Sequence, residues 1–194
     1  MPNKTAKYRL VRPVTLVGLM GCGKTTVGAR VANILGAPFR DADAEIVKSA
    51  SMEIPEIFEK LGEAAFRDGE RMVIARLMGE GPMVLATGGG AFMADETREA
   101  INAAGVAVWL NADLDTLVER TSRKATRPLL QNGNPRQILS DLMAVRYPIY
   151  AEAAVHVQST SEGSADDVAH TIVDALAKHD QNVPAEFKVL EALS

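Results

Sequence analysis

Eight residues constrain this chain more than any others. Gly18-Leu19-Met20-Gly21-Cys22-Gly23-Lys24-Thr25 fits G-x-x-x-x-G-K-[ST] at every fixed position. An apolar run at residues 14–17, after Pro13, reads as a strand before the motif. Residues 25–35, stopped by Gly36, read as a helix after it. In that setting the glycines let the loop curl until successive backbone N–H groups point inward, and the helix N-terminus adds its dipole. Lys24 would reach the β- and γ-phosphates of a bound nucleotide, and the Thr25 hydroxyl would ligate Mg²⁺. The chain is expected to bind a nucleoside triphosphate. Cys22, inside the loop, reads as a small residue tolerated where the backbone must hug phosphate. The alternative is a thiol acidified by the helix N-terminus and Lys24, though not a catalytic nucleophile; the thiol is expected to react with an alkylating agent.

Along the rest of the chain, short apolar runs alternate with helical patterns, the signature of βαβ units and a parallel sheet. Further strands are expected at 38–40, 83–86, 106–110 and 155–158. Helices are expected at 54–78 (broken near Gly62), at 95–104, from an Asp113 N-cap to about 120, at 136–146 and at 165–178. The helix at 136–146 should stop before Pro148. Residues 120–135 are basic and loop-like, with Pro128, Gly133 and Pro135. Residues 1–10 and 180–194 read as appendages, and 184–193 as one short helix. The fold class is α/β, a five-stranded parallel sheet flanked by helices with a basic lid.

A chain of 194 residues fits one domain of the usual ~100–200 residues. It can bury about 70 % of its unfolded surface without disulfides or a structural metal. One cysteine excludes a disulfide framework and disfavours a Cys-based zinc site. No apolar run approaches the ~20 residues of a membrane span, and no secretory leader pattern is visible, so a cytoplasmic location is expected. With 21 Lys and Arg against 25 Asp and Glu, the formal charge is −4, which argues against general nucleic-acid binding. An anionic ligand must therefore be met by local clusters of Lys and Arg.

The G-K-T loop occurs in several protein classes. A GTPase would carry D-x-x-G and N-K-x-D and a transporter ATPase an LSGGQ segment; neither pattern is present. The third strand runs into Thr87 and glycines without a carboxylate, and Asp113 reads as a helix cap. Asp41 and Asp43 remain. At i and i+2 of a strand both carboxylates would face one cavity, one serving Mg²⁺ through its water shell and the other gripping an acceptor hydroxyl. The alternative is that they cap the following helix together with Glu45. Gly88-Gly89-Gly90 lies where parallel sheets bind ligands and would let a small ligand approach the backbone; the alternative is a plain hinge. Arg67 is either a ligand group or an i,i+4 partner of Glu63. Arg146 is either a ligand group or a solvated helix end. Arg120, Arg123, Lys124 and Arg127 form either a lid that closes over phosphates or a solvated face. His156, His170 and His179 lack metal spacing and read as surface or packing residues.

Taken together, these blocks resemble the shikimate kinases, within the nucleoside-monophosphate-kinase-like P-loop fold. The resemblance rests on the loop with Thr26, on Asp41-Ala42-Asp43-Ala44-Glu45-Ile46, Ile57-Phe58 and Gly62-Glu63-Ala64-Ala65-Phe66-Arg67. It continues through Ala86-Thr87-Gly88-Gly89-Gly90, Arg127-Pro128-Leu129-Leu130 and Arg146-Tyr147-Pro148-Ile149-Tyr150. These stand in family order over about residues 12–178. The resemblance implies transfer of a phosphoryl group from ATP to the 3-hydroxyl of shikimate, with Mg²⁺, and a strand order 2-3-1-4-5. It implies that Arg67 and Arg146 hold the substrate carboxylate, with Gly88, Gly89 and Gly90 lining the pocket. Asp43 would take hydrogen bonds from the hydroxyls, and Asp41 would hold water on Mg²⁺. Lys24 and Arg127 would stabilise the transferring phosphoryl group, Arg120 would lie near the adenine, and residues 21–26 would hold the nucleotide.

It further implies a single kinase domain with a core at about 12–178, a lid at about 120–135, a substrate-binding helical region at about 43–80 and a C-terminal extension at 180–194. The expected partners are ATP and shikimate, with neither nucleic acid nor membrane, for a monomer. The departures are Cys22, where a small residue such as alanine is common, and the terminal extensions. Two rivals stand: a kinase for another small polyol acid such as gluconate, and a regulatory nucleotide binder that has lost catalysis. The second would show damage at Lys24, Asp41, Asp43 or Arg127, and all four are present.

Overall fold

Three interior strands carry almost no polar side chain, and the architecture follows from that. The computed structural model describes residues 7–122, 133–160 and 163–193. A short strand β1 (Tyr8–Leu10) precedes the five strands of the main sheet, β2 (Val14–Val17), β3 (Phe39–Asp41), β4 (Val84–Ala86), β5 (Val106–Asn111) and β6 (Val155–Gln158). All pairs in this sheet are parallel, in the order β3-β4-β2-β5-β6, which counted along its own five strands is 2-3-1-4-5. Strands β2 and β4 are buried throughout and β5 nearly so, because helices cover both faces of the sheet centre. The edge strand β6 alternates buried and exposed.

The helices are α1 (Lys24–Leu35), α2 (Ala42–Ala50), α3 (Ile54–Met78), α4 (Asp95–Ala104), α5 (Leu114–Ser122), α6 (Pro135–Tyr150) and α7 (Ala165–Asp180). Helix α1 packs against α7, and α3 against α2 and α4. Gly62 breaks α3, at φ 81° and ψ 169°. No helix among the described residues is long and apolar enough to cross a membrane.

The register places the site. Asp41 pairs with Ala86, Ala86 with Leu16, and Val17 with Trp109. The loops leaving the carboxyl ends of β2, β3 and β4 therefore emerge side by side, where parallel α/β sheets bind their ligands.

Four expectations are corrected. Helix α6 does not stop before Pro148 but runs to Tyr150. Proline there removes only one donor from the last turn, and Tyr147 and Tyr150 hold that turn by donating to the carbonyls of Ala112 and Gly89. Arg120 and Thr121 belong to α5 rather than to the basic loop. The helical pattern persists that far because the Thr121 hydroxyl bonds back to the Leu117 carbonyl at 2.7 Å and the side chain is buried. The helical region expected at about 43–80 is two separate helices, α2 and α3, and α2 is the one that the capping alternative for Asp41 implies.

The tail at 184–193 is not one helix. It makes a 3-10 turn (Ala185–Phe187) and a strand β7 (Leu190–Ala192) that pairs antiparallel with β1. The buried Asp180 carboxylate accepts from the N–H groups of Val189 and Leu190 at 3.0 and 2.8 Å. Arg12 ties the carbonyls of Ala103, Ala104 and Glu186 together. These tertiary hydrogen bonds outweigh a weak helical pattern.

Candidate active site

The loop between β2 and α1 is built from backbone that only glycine adopts readily. Gly18, Gly21 and Gly23 sit at φ 139°, 89° and 101°. At Gly18 a Cβ would also lie 2.7 Å from the Leu110 carbonyl oxygen. Lys24 is buried, and its ammonium donates to the carbonyls of Gly18 and Leu19 at 2.7 and 3.0 Å. Thr25 and Thr26 are exposed on the first turn of α1. The loop is braced from behind: the Ser159 hydroxyl donates to the Cys22 carbonyl at 2.9 Å, and Arg120 donates to the Ser159 hydroxyl at 2.8 Å and the Thr160 carbonyl at 2.5 Å. Cys22 is fully buried, so the expected access of alkylating agents to its thiol is corrected. Its side chain turns into the protein, with Sγ only 3.0 Å from where a Cβ on Gly18 would be.

The Thr25 hydroxyl donates to the Asp41 carboxylate at 2.8 Å. These are two hard oxygens at the mouth of a phosphate cradle. No group of three or more His, Cys, Asp or Glu side chains that could hold a metal occurs among the described residues. Mg²⁺ needs none, because it keeps several waters and takes one or two protein oxygens plus phosphate oxygens. The donor set fits it.

Asp41 and Asp43 do not lie at i and i+2 of one strand. The strand ends at Asp41, whose carboxylate caps α2 by accepting from the N–H groups of Asp43 and Ala44. The capping alternative therefore holds for Asp41, and it aims Asp41 back at Thr25. Asp43 sits on the first turn of α2 and faces the glycine loop, so the two carboxylates look onto one site through a helix start.

A Cβ on Gly88 would lie 3.0 Å from Asp43 Oδ1 and 2.8 Å from Glu70 Oε1. A Cβ on Gly90 would lie 2.6 Å from the Arg67 guanidinium. These glycines are needed because site side chains already occupy that space. Gly89 packs on the phosphate loop, where its Cβ would lie 3.5 Å from the Met20 nitrogen.

Arg67 pairs with Glu63 at 3.4 Å, as its helical spacing allowed, and more closely with Glu70 at 2.7 Å. Glu70 is the residue that sequence reasoning missed; its only signal was its place three positions beyond Arg67. It is buried, one oxygen takes the arginine, and the other has no hydrogen-bond partner among the described residues. Arg146 donates to the Gly89 carbonyl at 3.0 Å and has no ion pair among the described residues. Arg67, Arg71, Arg146 and Gly90 line a cleft of about 310 Å³, together with Glu63 and Glu70. A half-buried arginine on the wall of such a cleft, with no ion pair among the described residues, suits an anionic group.

Burial, and secondarily the charge of Asp41, pushes the Asp43 carboxyl above its ordinary value, against the pull of Lys24 and Arg67. Burial also pushes Glu70 up, against its hydrogen bond from Arg67. Asp43 is thus within electrostatic reach of both the phosphate-loop lysine and the cleft arginine. Arg127, with Arg123 and Lys124, lies outside the described residues.

The shikimate kinase family model matches residues 20–177. A shikimate kinase of Brucella canis is 53 % identical over 166 residues, which is 86 % of this chain and 82 % of that protein. The chain belongs to the shikimate kinase family. A solved shikimate kinase from Acinetobacter baumannii, in complex with shikimate, superposes with a TM-score of 0.82 at 41 % identity, covering 87 % of this chain and 94 % of that one. A gluconokinase from Sinorhizobium meliloti superposes with a TM-score of 0.55 at 19 % identity, a likeness of fold alone, over 90 % of this chain and 96 % of that one. Family membership makes this chain an ATP-dependent kinase and ranks the gluconate reading below shikimate.

Proposed function

We propose that the protein transfers the γ-phosphoryl group of ATP to the 3-hydroxyl of shikimate, giving shikimate 3-phosphate and ADP. The observation that carries this reading is the seat of Asp43, which meets the cleft residue Glu70 beside Gly88 and feels the charges of both Lys24 and Arg67. A phosphoryl acceptor bound in that cleft would have one end on cations and its hydroxyls against a carboxylate facing the nucleotide.

Each residue then has a part. Arg67 and Arg146 hold the acceptor's carboxylate, and Glu70 keeps the Arg67 guanidinium aimed across Gly90. Asp43 accepts hydrogen bonds from the hydroxyls, orients the attacking oxygen and takes up its proton as the bond to phosphorus forms. Lys24 exchanges the loop carbonyls it now holds for phosphate oxygens, and the loop N–H groups and Arg127 share the charge that develops there. Residues 21–26 hold the phosphates, with Arg120 at the nucleotide side of the loop. Thr25 and Asp41 would hold Mg²⁺, directly or through water; when bound, it neutralises charge on the nucleotide phosphates.

The whole assembly comes from one chain, which supports a monomer, and a single cysteine, without a disulfide framework, supports a cytoplasmic enzyme. ADP release measured with shikimate, with gluconate and with no acceptor tests the reading. Turnover with shikimate alone is expected, and equal rates with gluconate would overturn it.

A further inference from the structure

Gly88-Gly89-Gly90 contains two peptides between glycines, the kind with the least intrinsic resistance to rotation, and the second of them carries the Gly89 carbonyl. Neither neighbouring residue has a Cβ to bias its dihedrals, so the Gly89–Gly90 peptide plane can turn over at little steric cost. Its orientation decides what the cleft receives. In a trans peptide the Gly90 N–H points away from the Gly89 carbonyl, so one face of the plane offers a donor and the other an acceptor. Gly90 lies on the cleft wall against the Arg67 guanidinium, and Gly89 before it faces Arg146. An acceptor oxygen turned into that wall would repel a carboxylate ligand.

Two donors hold the Gly89 carbonyl, one from the cleft wall and one from the buried end of α6. One is Arg146, at 3.0 Å; the other is the hydroxyl of Tyr150. Tyr150 is fully buried at the end of α6, one turn beyond Arg146 and so on the same helical face. Its ring is set by Phe92 and Trp109, with centroids 6.5 and 6.1 Å away. Both lone pairs of the Gly89 oxygen are occupied, and the Gly90 N–H has no protein acceptor among the described residues. Arg146 cannot be a constant guardian of this arrangement, since the same guanidinium is the group a carboxylate ligand would draw toward itself. Tyr150 does not line the cleft, and its hydroxyl, which holds the Gly89 carbonyl, also stands beside the Arg146 guanidinium.

We propose that Tyr150 is a positioning residue for the reaction. Its hydroxyl locks the Gly89–Gly90 peptide so that the Gly90 N–H faces the cleft and donates to the carboxylate of the acceptor. The proposal rests on the acceptor being shikimate, or another small carboxylate, bound against Arg67 and Arg146.

The test is Tyr150→Phe in the full chain, which removes one oxygen and keeps the ring. KM for shikimate is expected to rise about tenfold, the equivalent of about 1.4 kcal/mol. The change in kcat should be much smaller, and KM for ATP should stay within about twofold of wild type, since a misdirected N–H weakens holding of the carboxylate in ground and transition states alike. Shikimate amide, without the full charge, should show a far smaller penalty than the acid. An unchanged KM for shikimate, or the same penalty for acid and amide, would overturn the lock, even if the melting temperature fell.

A second measurement separates failure of the lock from failure of the substrate reading. With ¹⁵N-glycine labelling and no acceptor added, the Gly90 amide should give one sharp resonance in wild type and an exchange-broadened or doubled one in Tyr150→Phe. A single sharp resonance in both overturns the lock whatever the acceptor is. A broadened resonance with no turnover of shikimate in wild type would sink the substrate reading and leave the lock standing.

Discussion

The two halves of this active site are made in opposite ways. The phosphate half is one continuous segment, residues 18–25, whose shape comes from glycines at positive φ and from the helix that follows them. The acceptor half is gathered from four places: Asp43 on α2, Arg67 and Glu70 on α3, the glycine loop after β4, and Arg146 with Tyr150 on α6. The first half depends on backbone that a short stretch of sequence dictates. The second depends on side chains whose charges and glycine contacts make sense only once the elements are docked. The consequence is a difference in tolerance. Damage to the phosphate half should stop chemistry with any acceptor, whereas damage to the acceptor half should discriminate among acceptors.

The largest effect tests the first half. Lys24→Ala should lower kcat by about 10³-fold or more, in line with removing a charged donor from a developing oxyanion. Binding of the acceptor in the absence of nucleotide should be unchanged. Loss of the two buried hydrogen bonds to Gly18 and Leu19 should cost stability as well, about 1 kcal/mol each. A rate within tenfold of wild type would show that the loop and helix dipole suffice without the lysine.

Asp43→Asn comes next, because Asp43 is where the halves meet. A positioned base or orienter is worth about 10²–10⁴-fold, so kcat should fall at least about 10²-fold while KM for ATP barely moves. If kcat stays within a few-fold, the carboxylate is only part of the first turn of α2.

Arg146→Lys probes the acceptor half alone. A charge-assisted bond is worth about 1.5–3 kcal/mol, so kcat/KM for shikimate should fall by about 10- to 100-fold. Lysine should not rescue it, since an ammonium cannot hold the Gly89 carbonyl and a carboxylate in one plane. Shikimate amide should distinguish the variant from wild type far less than the acid does. Equal losses with acid and amide would remove the carboxylate from this arginine.

The smallest effect is a shift in pH dependence. The folded Asp43 carboxyl titrates above its ordinary value of 3.8, and the proposed mechanism uses its charged form. Activity should therefore fade on acidification at a higher pH than an unperturbed aspartate would give. The fold behaves differently in that window. A carboxyl with a raised pKa binds its proton more tightly folded than unfolded, so protonating Asp43 and Glu70 adds stability as pH falls from their raised values toward their ordinary ones. Turnover should thus be lost at higher pH than far-ultraviolet circular dichroism. Asp41→Asn removes one of the charges that hold Asp43 up, so the acid limb of kcat should move to lower pH. A limb that stays in place or moves up would assign it to another group.

How much of this was legible beforehand follows the same division. The phosphate loop, the five parallel strands and the break at Gly62 were readable because each is set by near neighbours: apolar runs, glycines and caps. The pairing of Glu70 with Arg67 was half-legible from spacing on one helix, but the burial that makes it matter was not. Pro148 misled because proline's local rule predicts a stop, while the contacts of Tyr147 and Tyr150 with distant carbonyls carry the helix one more turn. The chain ends misled in the same way, since β1 and β7 each have a partner about 180 residues away, Tyr8 opposite Ala192 for instance.

By itself, then, the sequence determined the fold class, the five strands of the main sheet and the glycine loop between β2 and α1, because those depend on backbone preferences over a few residues. Tertiary structure decided the rest. Docking α2 and α3 against the β4 loop puts Glu70 and Asp43 where a side chain on Gly88 would stand, and Arg67 where one on Gly90 would stand. Tertiary structure also brings Arg146 and Tyr150 of α6 onto the Gly89 carbonyl. Those contacts join residues dozens of positions apart, and their energy exists only after desolvation brings charges together in a packed interior, which no local pattern records.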